Sequence, residues 1–352
     1  MDSTTTIACS ACFADRGLSL DGCQLGVESD QVCPNCGRTD GKKLGKDGLA
    51  KLAFRFFVWG SFWRTEYGGA PLVQFNEHQK TSISPPSWLK EDVALFENKL
   101  GIGFFRYGPR LWMVGEVEPL KALEAKDSRS SIINRILKEY PERFIDQNKT
   151  FYRLRKDPDS PDHHAEYDSP PAEFLGNGRL DSNLLPVLYT SPDLEVCVHE
   201  CRVTAEDELY LATLSPSRSI RVLDLSVVLN ESDGVTEFDS LDMAVHMLFM
   251  AGKHSYEISQ SIAIAAQQAG FDGLIYPSYF SLLRLGVMPL RTSYGLSHRR
   301  IPELRPQEEA FSIPNLAIFG RPIHSGLVNV RCINKLVLNR IAYEFHFGPV
   351  SF

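Results

Sequence analysis

VLYTSPDLEVCVHE, Val187 to Glu200, joins a strand to a helix. Val187 to Thr190 is apolar and β-prone and reads as a short buried strand. Ser191 offers an N-cap oxygen, and Pro192 suits the first helical turn, where its missing N–H costs nothing. Leu194, Cys197, Val198 and Cys201 then recur at helical spacing, so this face packs on a core. Glu200 falls on the shoulder of that stripe. A carboxylate there is either half-solvated or held for a purpose. Tyr189 ends the strand that feeds the helix.

Upstream lie Phe151 to Arg155, FYRLR, and Asn177 to Pro186, NGRLDSNLLP. Downstream lie Phe271 to Ser278, FDGLIYPS, then IPNLAIF and Arg321-Pro322. This order resembles the RES domain, a family named for an arginine, a glutamate and a serine. Arg153, Glu200 and Ser278 match those three, over roughly residues 150 to 325. Arg179 matches the arginine of a Gly-Gly-Arg-Trp-Asn-like segment, which here reads Asn177-Gly178-Arg179-Leu180-Asp181 and lacks the aromatic. The resemblance implies an ADP-ribosyltransferase-like fold. It also implies destruction of NAD by cleavage of the nicotinamide–ribose bond, as in bacterial toxins or anti-phage effectors. It further implies a restraining antitoxin or regulatory protein, and leaves room for a homo-oligomer.

The residue types suit that substrate. A guanidinium fork fits phosphate oxygens, and Arg153 and Arg179 are the candidates. An aromatic face would meet the cationic nicotinamide; Tyr189 is the first choice and Tyr152 the second. Glu200 would stabilise positive charge developing at the anomeric carbon. Ser278 would hydrogen-bond ribose, carboxamide or arginine. No G-x-S-x-G elbow surrounds it, so it is not read as an acyl-type nucleophile. Two other readings stand beside NAD cleavage: transfer of ADP-ribose to a macromolecule, and a zinc-ribbon adaptor with an inactive RES-like domain.

The 352 residues suggest two or three domains, divided as 1–48, 49–148 and 149–352. Hydrophobic content of 43% and charged content of 23% are those of a globular protein. A net charge of −7 gives no general pull toward nucleic acid or anionic membrane. No run approaches the roughly 18 apolar residues of a membrane span. The start, MDSTTTIACSAC, lacks a signal-peptide pattern, so a cytoplasmic protein is expected.

Five of the eight cysteines lie in the first 36 residues. Cys9-x2-Cys12 and Cys33-x2-Cys36 read as two knuckles of a structural zinc ribbon, with Cys23 spare. Residues 49–148 read as an accessory region. Its aromatics, among them Phe54, Phe56, Phe57, Trp63 and Tyr67, read as core. Helices are expected from Trp88 to Leu100, with Gly101 as stop, and from Ser128 to Tyr140.

In the last segment, residues 156–173 read as a mobile loop over a site, and strands and helices follow without βαβ regularity. Val328 to Phe347 is expected to supply closing strands. The whole reads as α+β: a mixed sheet with flanking helices, preceded by the zinc ribbon and an α-rich region.

Overall fold

A computed structural model of the chain describes residues 5–281 and 285–352. It divides into two compact units. One is Met1–Arg64 with Gly69–Arg110 and Ala342–Phe352; the other is Thr65–Gly68 with Leu111–Ile341. The region 49–148 is thus shared between units. Phe56 and Phe57 are buried with Phe13, Leu18 and Leu44 of the cysteine segment, while Glu118–Glu124 and Lys126–Glu139 pack on helices of the larger unit. Among the described residues no helix is long and apolar enough to cross a membrane.

In the first unit, strand Ala8–Cys9 pairs antiparallel with Lys43–Leu44. Between the two cysteine pairs stands a helix, Arg16–Leu25. Asp15 caps this helix by accepting from the Leu18 N–H, and Leu18 and Gly22 face inward. Cys23 lies on the same helix. The core is aromatic: Phe57 meets Phe96 edge-on and Phe104 at 4.3 Å between ring centroids. Phe54 and Trp63 are exposed, so the aromatic run is core only in part. Helix Lys90–Leu100 stops at Gly101, whose φ of 69° suits glycine.

The chain's C-terminus completes this unit. Phe347 and Phe352 pack against the aromatic core. The Phe347 N–H donates to Asp21 Oδ2 at 3.1 Å, and Arg55 Nη2 donates to the Phe345 carbonyl at 2.9 Å. The strand expected through Phe347 therefore ends at Leu336. Side chains of the first unit bond to the backbone of the last residues, where a neighbouring strand was expected to do so.

The second unit opens with α1 (Glu118–Glu124) and α2 (Lys126–Glu139). There follow β1 (Glu142–Ile145), β2 (Phe151–Lys156), β3 (Val187–Thr190), α3 (Leu194–Glu200), β4 (Leu209–Pro216) and β5 (Ile220–Asp224). Then come α4 (Leu241–Met250), α5 (Tyr256–Gln268), β6 (Gly273–Pro277), β7 (Pro314–Phe319) and β8 (Val328–Leu336). A five-stranded sheet has the order β1-β5-β6-β7-β3, and a three-stranded sheet β8-β4-β2. Only β5 and β6 run parallel, joined through α4 and α5; the other pairs of these two sheets are antiparallel. This is the mixed α+β architecture expected.

The sheets meet where Tyr152 of β2 and Ser191 exchange backbone bonds of 2.8 and 3.1 Å. Phe151, Leu188, Leu214, Val222, Ile275 and Ile318 fill one core. On the other face of β2 and β4, Leu154, Leu209 and Leu211 receive Leu194, Cys197, Val198 and Cys201 of α3. Gly273 lies where a Cβ would meet the Ala317 carbonyl at 2.2 Å, so β6 and β7 can pair there only through glycine.

Phe347→Ala is expected to lower the stability of the first unit by about 2 kcal/mol, below the cost at a fully buried phenylalanine. Chemical denaturation checks it; an unchanged midpoint would mean that the tail adds nothing to that core.

Candidate functional site

Glu200 is the last residue of α3. Asp193, not Ser191, caps this helix, accepting from the Val196 N–H at 2.9 Å. Ser191 is engaged in the bridge to Tyr152, and its Oγ accepts from the Asp193 N–H. The cap fixes where the helix starts, and seven residues later the chain presents Glu200 at the surface.

Two donors converge on one oxygen of Glu200. Ser278 Oγ and Asn315 Nδ2 each donate to Oε1 at 2.7 Å. Both donors are buried, at 1% and 2% exposure. They come from neighbouring strands: Ser278 directly follows β6, and Asn315 on β7 faces Tyr276 in the register. Ser278 Oγ also accepts from the Phe280 N–H at 3.1 Å. Its proton is therefore directed at a carboxylate, which fits a positioning hydroxyl and not an acyl-transfer nucleophile. No described residue bonds Oε2, and Glu200 is exposed.

Arg153 lies in the middle of β2, opposite Ala212. Nη1 donates to the Tyr189 carbonyl at 3.1 Å, and Nε is buried without a partner among the described residues. Desolvation pulls this guanidinium down to about 10, with Arg155 adding to the effect, so it stays charged at neutral pH. A buried guanidinium with donors left open is suited to an anion. Cys197 and Cys201 lie within Coulombic reach of both Arg153 and Glu200. Burial raises both thiols, Cys197 to about 12, so neither is a ready thiolate.

The other residues singled out by sequence have partners inside the fold. The Tyr189 hydroxyl accepts from the Leu180 and Asp181 N–H groups at 2.7 and 2.9 Å and donates to Asp181 Oδ1 at 2.8 Å. It thereby pins the Asn177–Pro186 segment against β3. Arg179 donates to the Leu248 and Ala251 carbonyls at the C-terminal end of α4. Its guanidinium also sits over the Tyr256 ring at 5.0 Å. The two carbonyls engage two of its five N–H donors. Tyr152 packs with Leu154 and Cys197; strand alternation puts it on the opposite face from Arg153.

Residues 156–173, expected to be mobile, are tied down. Tyr167 is fully buried and donates to the Pro161 carbonyl at 2.7 Å. Arg321 donates to the Ser169 and Pro170 carbonyls at 3.3 and 3.0 Å, and Asp168 Oδ2 accepts from the His324 N–H. The prolines that suggested a loop set its turns, and Arg321 holds it. His163 and His164 are exposed.

Two residues of the site escaped sequence reasoning. One is Asn315. Its signal was a lone amide inside the apolar run of IPNLAIF, where a polar side chain needs a partner. The other is Tyr276, whose phenol is raised by burial and then by the charge of Glu200, with Arg179 opposing.

In the first unit, the Sγ atoms of Cys9, Cys12, Cys33 and Cys36 all lie within 4.8 Å of one another. Three of the separations are 3.5, 3.6 and 3.7 Å. Tetrahedral zinc with bonds of about 2.3 Å needs sulfurs about 3.8 Å apart, so the cluster fits a metal ion. Gly37, at φ 73°, turns the second knuckle and returns its N–H to the Cys33 carbonyl. A Cβ on Gly41 would meet Cys9 Sγ at 2.7 Å. Cys23 is not part of this group.

A search of curated proteins finds no match. Among solved structures, a chain of the M. tuberculosis MbcT-MbcA toxin-antitoxin complex aligns at 16% identity with a TM-score of 0.34. The alignment covers 58% of this chain and 92% of that one. Residues 150–305, which include Arg153, Glu200 and Ser278, match the family model of the RES domain, so the chain carries a RES domain over that span.

Proposed function

We propose that the RES domain of this chain cleaves the nicotinamide–ribose bond of NAD. The observation that supports the reading most is the clamped carboxylate: Glu200 held at Oε1 by two buried donors, with Oε2 open. A carboxylate fixed in this way is preorganised to stabilise positive charge and costs no reorganisation during reaction. Arg153, whose guanidinium is charged and held by a single bond to the Tyr189 carbonyl, would supply the anion contact for pyrophosphate. In the reaction the electron pair of the C1′–N bond leaves with nicotinamide, which becomes neutral. Glu200 meets the oxocarbenium-like ribose, and water or phosphate adds at C1′ with loss of a proton to solvent.

Ser278 positions Glu200 in this scheme. Tyr189 lends a ring edge at most, since its hydroxyl is locked to the Asp181 segment. Depletion of NAD is the act of a toxin or an anti-phage effector, and such an activity needs a restraining partner such as an antitoxin. Transfer of ADP-ribose to a macromolecule uses the same groups, with a different acceptor at C1′.

In the other unit, zinc held by Cys9, Cys12, Cys33 and Cys36 would cross-link the two knuckles on either side of helix Arg16–Leu25, a folding role. Purified protein is expected to hold one zinc per chain, lost on Cys33→Ser. Elemental analysis checks it, and zinc content untouched by the substitution would remove the assignment.

Glu200→Gln keeps both bonds at Oε1, because the amide oxygen still accepts. It is expected to leave unfolding unchanged and lower kcat by about 10²–10³-fold. Arg153→Ala is expected to weaken NAD binding as well, since a phosphate contact acts before and during reaction. Release of nicotinamide by the purified protein, with NAD affinity measured separately, checks both. Near-normal turnover in Glu200→Gln would make the carboxylate structural.

A further inference from the structure

We infer that Asn315 is a positioning residue that turns Glu200 so that Oε2 is the working oxygen. The catalytic part of this inference rests on the NAD reading; the clamp itself does not. Asn315 sits on β7 with Leu316, Ala317, Ile318 and Phe319 following, all buried. An amide in such a strand is costly unless both ends are paired. Here only one end is. Nδ2 donates to Glu200 Oε1, while Oδ1 is buried with no hydrogen-bond partner. A leucine would fill this place without leaving a buried acceptor bare. What the amide supplies is a donor, held against Glu200 Oε1 and within hydrogen-bond reach of the Tyr276 phenol.

The geometry explains why one donor is insufficient. Glu200 ends a seven-residue helix and is exposed, so its side chain has three torsions to settle. A single bond from Ser278 leaves the carboxylate free to rotate about that contact. The second bond comes from the neighbouring strand, because β6 and β7 pair with Tyr276 opposite Asn315. Two donors on one oxygen fix the plane of the carboxylate and leave the other oxygen unbonded. Tyr276 closes the inner side, with its phenol near Glu200 and Asn315. The open direction of the carboxylate is then away from the sheet.

Asn315→Asp tests this at nearly constant size. It replaces a donor by a second carboxylate against Oε1, and two like charges so close cannot both stay ionised. Glu200 and the introduced carboxylate must hold a proton between them to higher pH, so the acidic limb of kcat is expected to move up by about one pH unit or more. Asn315→Ala is expected to lower kcat by about 10–100-fold with NAD affinity within about twofold of the parent. A purely structural asparagine would change the unfolding midpoint and leave the pH limb in place; that result, or unchanged kcat in both variants, overturns the inference. A readout free of turnover accompanies it: the Glu200 carboxyl titration, followed by carbon NMR in parent and Asn315→Asp proteins with labelled glutamate. An upward displacement in the variant upholds the clamp even if the parent shows no NAD turnover, in which case only the NAD reading fails. Titration curves that coincide sink the clamp whatever the turnover.

Discussion

Two backbone hydrogen bonds between Tyr152 and Ser191 join the two sheets of the larger unit. They join the first strand of the three-stranded sheet to the end of the five-stranded sheet. From that point Arg153 lies one residue along β2, and α3 leaves in the other direction toward Glu200. The bridge also leaves Ser191 unable to serve as the helix cap, so Asp193 takes the cap two residues later. The separation of Arg153 from Glu200 is thus set by backbone geometry that neither side chain controls. Cys197 and Cys201 pack against Leu154, Leu209 and Leu211 on the face of β2 that carries Tyr152.

The site sits where apolar packing gives way to unpaired polar atoms. Arg153 Nε and Asn315 Oδ1 are both buried without partners among the described residues, a condition folded proteins seldom tolerate. Each adjoins a group with open capacity: the Arg153 fork for anions, the Glu200 Oε2 for positive charge. Tyr189, Arg179 and Arg321 bond loop and helix-end carbonyls or N–H groups. Rigidity there comes from side chains bonding backbone, while the two catalytic candidates keep their freedom to bond something else.

The cysteine-bearing unit solves a different problem. It is small, and its core depends on a few phenylalanines and on the chain's own C-terminal residues. Four sulfurs at metal-ligating distance would add a cross-link through a bound metal, where area for burial is short. Asp21 shows how closely the ends are joined: it lies fully buried on a helix near the N-terminus and accepts from the Phe347 N–H.

Local sequence determined much of this. The apolar spacing of Leu194, Cys197, Val198 and Cys201 set the buried face of α3. Gly101 ended a helix, and two Cys-x2-Cys knuckles marked the sulfur cluster. Such features depend on residues a few positions apart, and short-range physics is written in the sequence. The tertiary structure decided what depends on distant partners. Asn315 joined Glu200 because two strands far apart in sequence pair with one register. Arg179 became a helix cap because α4 ends beside it, and the last residues left the sheet because Asp21 and Arg55 offered their backbone better partners. A side chain's type says what it can bond; which partner it meets is fixed only when strand pairing brings remote segments together.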